Sequence, residues 1–116
     1  MDIYSFSRLS GHPVDNFASN FVLSPVAHVA GPSRLACFHL APGEIVGEHE
    51  AVVGQLFCVV EGEGWVSGHD SERRPLRAME AAYWGPGERH AAGTKSGLMA
   101  FVIEAGGVEV LASPAV

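Results

Sequence analysis

The sequence predicts an all-β barrel or sandwich, and three observations carry that expectation. Short apolar stretches recur along the chain, each closed by Gly, Pro, Asp or Ser. Fourteen glycines and seven prolines supply the tight connections that many short strands require. No stretch keeps an apolar period of about 3.6 residues long enough for a helix of several turns.

The predicted strands follow in order. Residues 34–40 (RLACFHL) and 44–50 (EIVGEHE) are joined by the turn APGE. Residues 55–60 (QLFCVV) are apolar at both parities, which predicts a strand buried on both faces. The sequence EGEG (61–64) reads as a turn into a strand at 64–67. SGHDSE (67–72) and GPGERH (85–90) are further turns, flanking a strand at 81–84 (AAYW). Residues 98–104 (LMAFVIE) form the next strand, with a last one at 108–111. Residues 1–33 hold Pro13, Pro25 and Pro32 and are more irregular. They are expected to be an arm that packs on the barrel, adding at most an edge strand that covers an open sheet edge. PVDNFASNF (13–21) has room for one helical turn.

A chain of 116 residues is one domain with one core, here 1–116, with the barrel itself in 34–104. Charged residues make up 17% and hydrophobic ones 47%, a balance foreign to disordered acidic chains. The net charge is −6 and the largest basic cluster is Arg73–Arg74, so no nucleic-acid partner is expected. No apolar run approaches the ~20 residues that span a bilayer, so no membrane partner is expected either. MDIYSFSRLSG lacks a basic segment followed by an apolar one, which predicts a cytoplasmic protein. Cys37 and Cys58 lie in apolar runs and are expected to be buried free thiols, neither bridged nor nucleophilic.

The segment GEIVGEHEAVVGQLFCVVEGEG (43–64) carries the candidate chemistry. Strand alternation turns His49 and Ala51 to one side and Glu48 and Glu50 to the other. On the following strand Gln55 shares a face with Phe57 and Val59, while Leu56, Cys58 and Val60 face away. One wall of a pocket results, with His49 and Gln55 at its polar end and Phe57 and Val59 further in.

In this segment the chain resembles the cupin family. Gly43, His49 and Gly62 stand where the first motif of that family has Gly, His and Gly, but Ala51 replaces its second His and Gln55 its Glu. In GPGERH, Gly87 and His90 match the second motif, whereas Gly85 replaces its Pro and Thr94 its Asn. The resemblance covers 34–104. It implies a double-stranded β-helix (jelly-roll) barrel of cupin type, often dimeric, and leaves His49 and His90 as surviving metal-ligand positions. Gln55 adds only a neutral carbonyl oxygen and Ala51 nothing, so the implied ion, zinc, nickel, manganese or iron, would be held weakly. Without an ion, His49 and His90 are polar pocket residues bonded to each other, to Gln55 or to a ligand.

Trp65, Tyr83, Trp84 and Phe101 fall in barrel strands and read chiefly as core. One of Tyr83 and Trp84 faces inward; Trp84 is taken as the pocket aromatic with His49, Gln55, Phe57 and His90. His12 and His69 belong to turns, His28 to the arm, and His39 to a strand face the sequence leaves open. Glu88 and Arg89 are expected at the surface, beside the barrel mouth. No nucleophile elbow or phosphate-cradling loop is present.

Three functions are compatible with these residues. A small-molecule-binding barrel without a tightly held metal is favoured by Ala51 and Gln55. A metal-dependent small-molecule enzyme of oxygenase, isomerase or lyase type is favoured by His49 and His90, either of which could also serve as a general base. A purely structural dimer explains the apolar composition but not the polar cluster. The apolar strands predict a homodimer in any of these cases. Neither the ligand nor the presence of catalysis is written in the sequence.

Overall fold

A computed structural model describes residues 1–115. Eleven strands carry the chain: β1 (Asp2–Ser5), β2 (His12–Val14), β3 (Phe21–Leu23), β4 (Ala27–Leu40), β5 (Ile45–Glu50), β6 (Gly54–Ser67), β7 (Arg73–Arg77), β8 (Glu80–Trp84), β9 (Arg89–Gly93), β10 (Leu98–Val110) and β11 (Ser113–Pro114). Two short 3-10 turns, Arg8–Ser10 and Asn16–Ala18, complete it, the second inside the stretch where one turn is expected. No helix among the described residues is long and apolar enough to cross a membrane.

All pairings are antiparallel. One barrel sheet runs β11-β1-β8-β6-β10-β4 and the other β5-β9-β6-β7, while β2 and β3 pair only with each other. β6 belongs to both, so the sheets fold over a common interior as a jelly-roll barrel. Phe57, Val59, Val66, Leu76, Trp84 and Val102 fill that interior, each at most 2% exposed. The opposite parity of β6 is buried too. Leu56 and Cys58 lie under Phe6, Val26, Tyr83 and Val110, so the N-terminal segment covers the outer face as a second small core. This is why residues 55–60 are apolar on both faces.

Several boundaries differ from the sequence expectation. EGEG is no turn: β6 continues through it, because Gly62 adopts φ +79 and the register with β10 slips between Met99 and Ala100. That bulge bends the strand and passes it from one sheet to the other. Residues 108–111 are no separate strand either. β10 reaches Val110 across a second irregularity between Ala105 and Gly107. β4 begins at Ala27, inside the stretch read as an arm, and pairs there with the end of β10. β1 adds to the β8 edge, as an arm strand could.

Five strands went unread: the short β2, β3 and β11, and two strands of the smaller sheet. β7 (RRPLR) is charged and holds Pro75, both features of an edge strand, and it pairs only with β6. β9 (RHAAG) is built of small residues with weak strand preference, yet four of its five residues are buried.

Facing also corrects three residues. Cys37 is exposed rather than buried, because Phe38 and Leu40 on the same strand turn into the barrel. Phe101 is 42% exposed on the outer face, since Ala100 and Val102 take the interior. Trp65 is only half-buried and lies under the Arg73 guanidinium, 3.8 Å from its ring centre. The second thiol, Cys58, is buried, which pushes it up to about 12 and leaves it unreactive.

Candidate functional site

Two neighbouring strands of the smaller sheet bring the histidines together. His49 on β5 and His90 on β9 are directly opposed in register, with ring centres 4.3 Å apart. β5 does not alternate regularly before His49, because its register with β9 shifts between Val46 and His49. Val46 packs against the interior core, and the irregularity lets His49, three residues on, meet the inward His90. Ala51 is buried just beyond. Its N–H donates to the Glu88 carbonyl at 2.9 Å and its carbonyl accepts from Gly87 N–H at 2.7 Å, which pins the end of β5 to the turn that carries His90.

His90 is 1% exposed and stacks on Trp84, ring centres 4.5 Å apart and 29° from parallel. Trp84 is held by its Nε1–H, which donates to the Ser67 carbonyl at 3.1 Å, and meets Phe57 edge-on at 6.1 Å. Of the pair left open by the sequence, Trp84 therefore faces inward, while Tyr83 joins the outer core. Gln55 is buried on the parity of Phe57 and Val59, opposite Trp84 on β8 and Glu104 on β10. Gln55, Phe57, Trp84 and His90 thus lie in the buried interior, whereas His49 is exposed at its margin and reaches the site through its contact with the His90 ring. His39, between the inward Phe38 and Leu40, is exposed outside the barrel.

The hydrogen bonds define the chemistry of both rings. His49 Nδ1 lies 2.7 Å from the Gly47 carbonyl and His90 Nδ1 lies 3.1 Å from the Glu88 carbonyl. A carbonyl only accepts, so each Nδ1 carries the hydrogen and each neutral ring presents Nε2 as a lone pair. His90 Nε2 is buried without any partner. Burial holds the His90 imidazole below its ordinary value, and the nearby His49 acts the same way, against the opposing pull of the Glu88 carbonyl.

Two carboxylates flanking this pair are engaged elsewhere. Glu48, outside the barrel, accepts from the Ser71 hydroxyl and the Arg89 guanidinium, and these bonds hold its carboxyl below the usual range. Burial alone would raise the Glu88 carboxyl, but the Met1 ammonium at 2.6 Å and the Gly85 N–H outweigh it and keep it low. Glu88 is thus a structural anchor of the turn, not a loose surface residue. The carboxylate that sequence reasoning missed is Glu104, which shares the interior parity of Ala100 and Val102. Its strand is apolar at both parities, so alternation alone could not say which face was inward.

The ability to hold an ion is partial. Two Nε2 lone pairs are available, and Gln55 offers a neutral oxygen. Among the described residues, however, no three His, Cys, Asp or Glu side chains lie close enough to form a ready metal site. A depression of about 680 Å³ lies elsewhere, between His39, Leu40, Gly62 and Leu98. It is a shallow groove without the convergent polar atoms found beside Trp84, so the histidine pair remains the stronger candidate.

No family model and no curated protein matches this chain. Solved structures do. A cupin superfamily protein from Desulfitobacterium hafniense superposes with a TM-score of 0.59 at 19% identity, over 69% of this chain and 75% of that one. A double-stranded β-helix domain protein from Klebsiella pneumoniae gives 0.58 at 23%, over 73% and 79%. A predicted oxalate decarboxylase from Thermotoga maritima gives 0.56 at 21%, over 66% and 65%. The chain therefore has a cupin-type fold, a double-stranded β-helix.

Proposed function

We propose that this chain is a small-molecule-binding cupin barrel whose ligand is received at His49 and His90, with Trp84 and Phe57 as the rigid apolar backing and Gln55 as a further polar contact. The observation that carries the reading is the buried His90 Nε2 without a partner. An unsatisfied buried acceptor costs about 1–3 kcal/mol, and a ligand donor or a cation would recover it. The neutral state of His90, maintained by burial, suits an acceptor better than a charged anchor.

A second reading is a metal-dependent small-molecule enzyme of oxygenase, isomerase or lyase type. It is favoured by the Nδ1 bonds to Gly47 and Glu88, because such bonds orient imidazoles whose Nε2 binds metal. His49 and His90 would hold the ion, with Gln55 as a weak third donor, and the ion would supply Lewis-acid chemistry. Two strong ligands imply loose binding. One structural neighbour is a predicted oxalate decarboxylase, which lends this reading the example of a cupin barrel assigned to catalysis.

Elemental analysis of protein purified without chelator or added metal separates the two. Substoichiometric metal together with ligand binding that His90→Ala abolishes supports the binding barrel. A stoichiometric transition metal would replace it with the enzyme. On either reading we infer that the barrel pairs with a second copy through the outer face of β4 and β10, where Leu35 and Phe101 stand exposed.

A further inference from the structure

The outer face of the smaller sheet carries a small depression, across the sheet from the inward His90. Val66 on β6 and Ala92 on β9 are paired in register and lie in the interior core, so the alternate residues Trp65, Ser67, Ala91 and Gly93 face outward. Trp65 opposes Gly93, and a Cβ on that glycine would stand 2.5 Å from the indole, so the absence of a side chain lets the ring lie against β9. The Arg73 guanidinium covers the indole, 3.8 Å from its ring centre. Stacking of this kind occupies one flat side of the cation and leaves its N–H edge for another partner. Trp65, Arg73, Ser67, Ala91, Gly47 and Glu48 line a depression of about 210 Å³ beside the stack.

Two polar groups of this depression lack protein partners. Ser67 is 4% exposed although it sits on an outer face. Its carbonyl accepts from Trp84, but among the described residues its hydroxyl makes no hydrogen bond and meets only what enters the depression. Of the neighbouring arginines, Arg74 pairs with Asp70 and Arg89 with Glu48, whereas Arg73 joins no ion pair among the described residues. Glu48, the only carboxylate lining the depression, is offset by Arg89 and bound by the Ser71 hydroxyl. What is left is a planar cationic donor, a hydroxyl and an apolar wall of Trp65 and Ala91. We propose that this depression binds a small carboxylic acid as its anion. The carboxylate meets the Arg73 guanidinium edge and the Ser67 hydroxyl, and the short apolar part lies on Trp65 and Ala91. A carboxylate accepts two parallel N–H bonds from a guanidinium, a match that neither an ammonium nor a spherical anion makes. The volume admits only a few non-hydrogen atoms, which limits the acid to a short one. This site stands apart from the histidine pair and does not depend on what that pair binds.

Amide and indole NMR spectra of the full chain, titrated with sodium propionate at constant ionic strength, test it. Propionamide serves as the probe of shape without charge, and sodium chloride as charge without shape. Propionate is expected to shift the Trp65 indole and Ser67 amide signals saturably in the millimolar range, while the other two probes leave them in place. Arg73→Lys keeps a cation beside the indole but loses the planar fork, and is expected to weaken binding at least about tenfold. Ser67→Ala is expected to weaken it by a smaller factor, with circular dichroism melts verifying the folding of both variants. The absence of a saturable shift at tens of millimolar propionate, an equal response to chloride or propionamide, or unchanged affinity in Arg73→Lys would overturn the proposal. Propionate that moves the His90 ring signals and not the Trp65 indole would place the acid at the histidine pair and equally remove this site.

Discussion

His90 combines three properties that rarely coincide: complete burial, a tautomer set by a backbone carbonyl, and a free Nε2. Burial depresses its pKa below the ordinary 6.5, so the unfolded chain takes up a proton more readily than the folded one. The sign follows from linkage: the contribution to stability is fully present above pH 6.5, falls as pH drops below it, and levels off beneath the folded value. Chelator-treated protein should therefore lose urea resistance between pH 7.5 and 5.5, a window above the carboxylate range. His90→Gln should lose less. Equal losses in the two proteins would show that His90 is not held neutral by the fold.

At the scale of the element, β6 decides how the barrel closes. Its first half pairs with β8 and β10, its second with β7 and β9, and the change occurs at Gly62, two residues past the bulge at Val60. A side chain at position 62 would need a left-handed backbone, costing about 1–2 kcal/mol, and its Cβ would collide with the Gly97 carbonyl oxygen. Gly62→Ala is expected to destabilise the protein by about 2 kcal/mol or more, read from urea unfolding at constant slope. A loss under about 0.5 kcal/mol would mean that the bend is set elsewhere. The β5 irregularity has the corresponding role for function, since it aims His49 at His90 after Val46 has entered the core.

For the whole molecule, β4 is an edge: it pairs with β10 alone, through twelve of its fourteen residues. Its outer face carries Leu35, 65% exposed, beside Phe101 on β10 at 42%. A long edge next to exposed apolar side chains is a surface that proteins cover, and the second copy proposed above would cover it symmetrically. Light scattering at micromolar concentration is expected to give the dimer mass, and Leu35→Glu with Phe101→Glu the monomer mass. A monomer mass for the unmodified chain would remove the dimer.

The alternation of residues 55–60 and the turn residues predict an all-β barrel or sandwich, because local periodicity survives into the fold. The jelly-roll topology and the pairing of His49 with His90 are what the resemblance carried by the two partial motifs implies. Other features depended on partners far along the chain. β9 is a strand because β5 and β6 flank it, not because Ala91, Ala92 and Gly93 prefer one. EGEG is strand because the bulge at Val60 and the positive φ of Gly62 absorb the bend. Cys37 is exposed because Phe38 and Leu40 take the interior, and Glu104 faces the site because Ala100 and Val102 set the parity of β10. Where a strand is apolar at both parities, its composition does not choose the inner face. The sheet it joins makes that choice, because only one orientation lets both cores close.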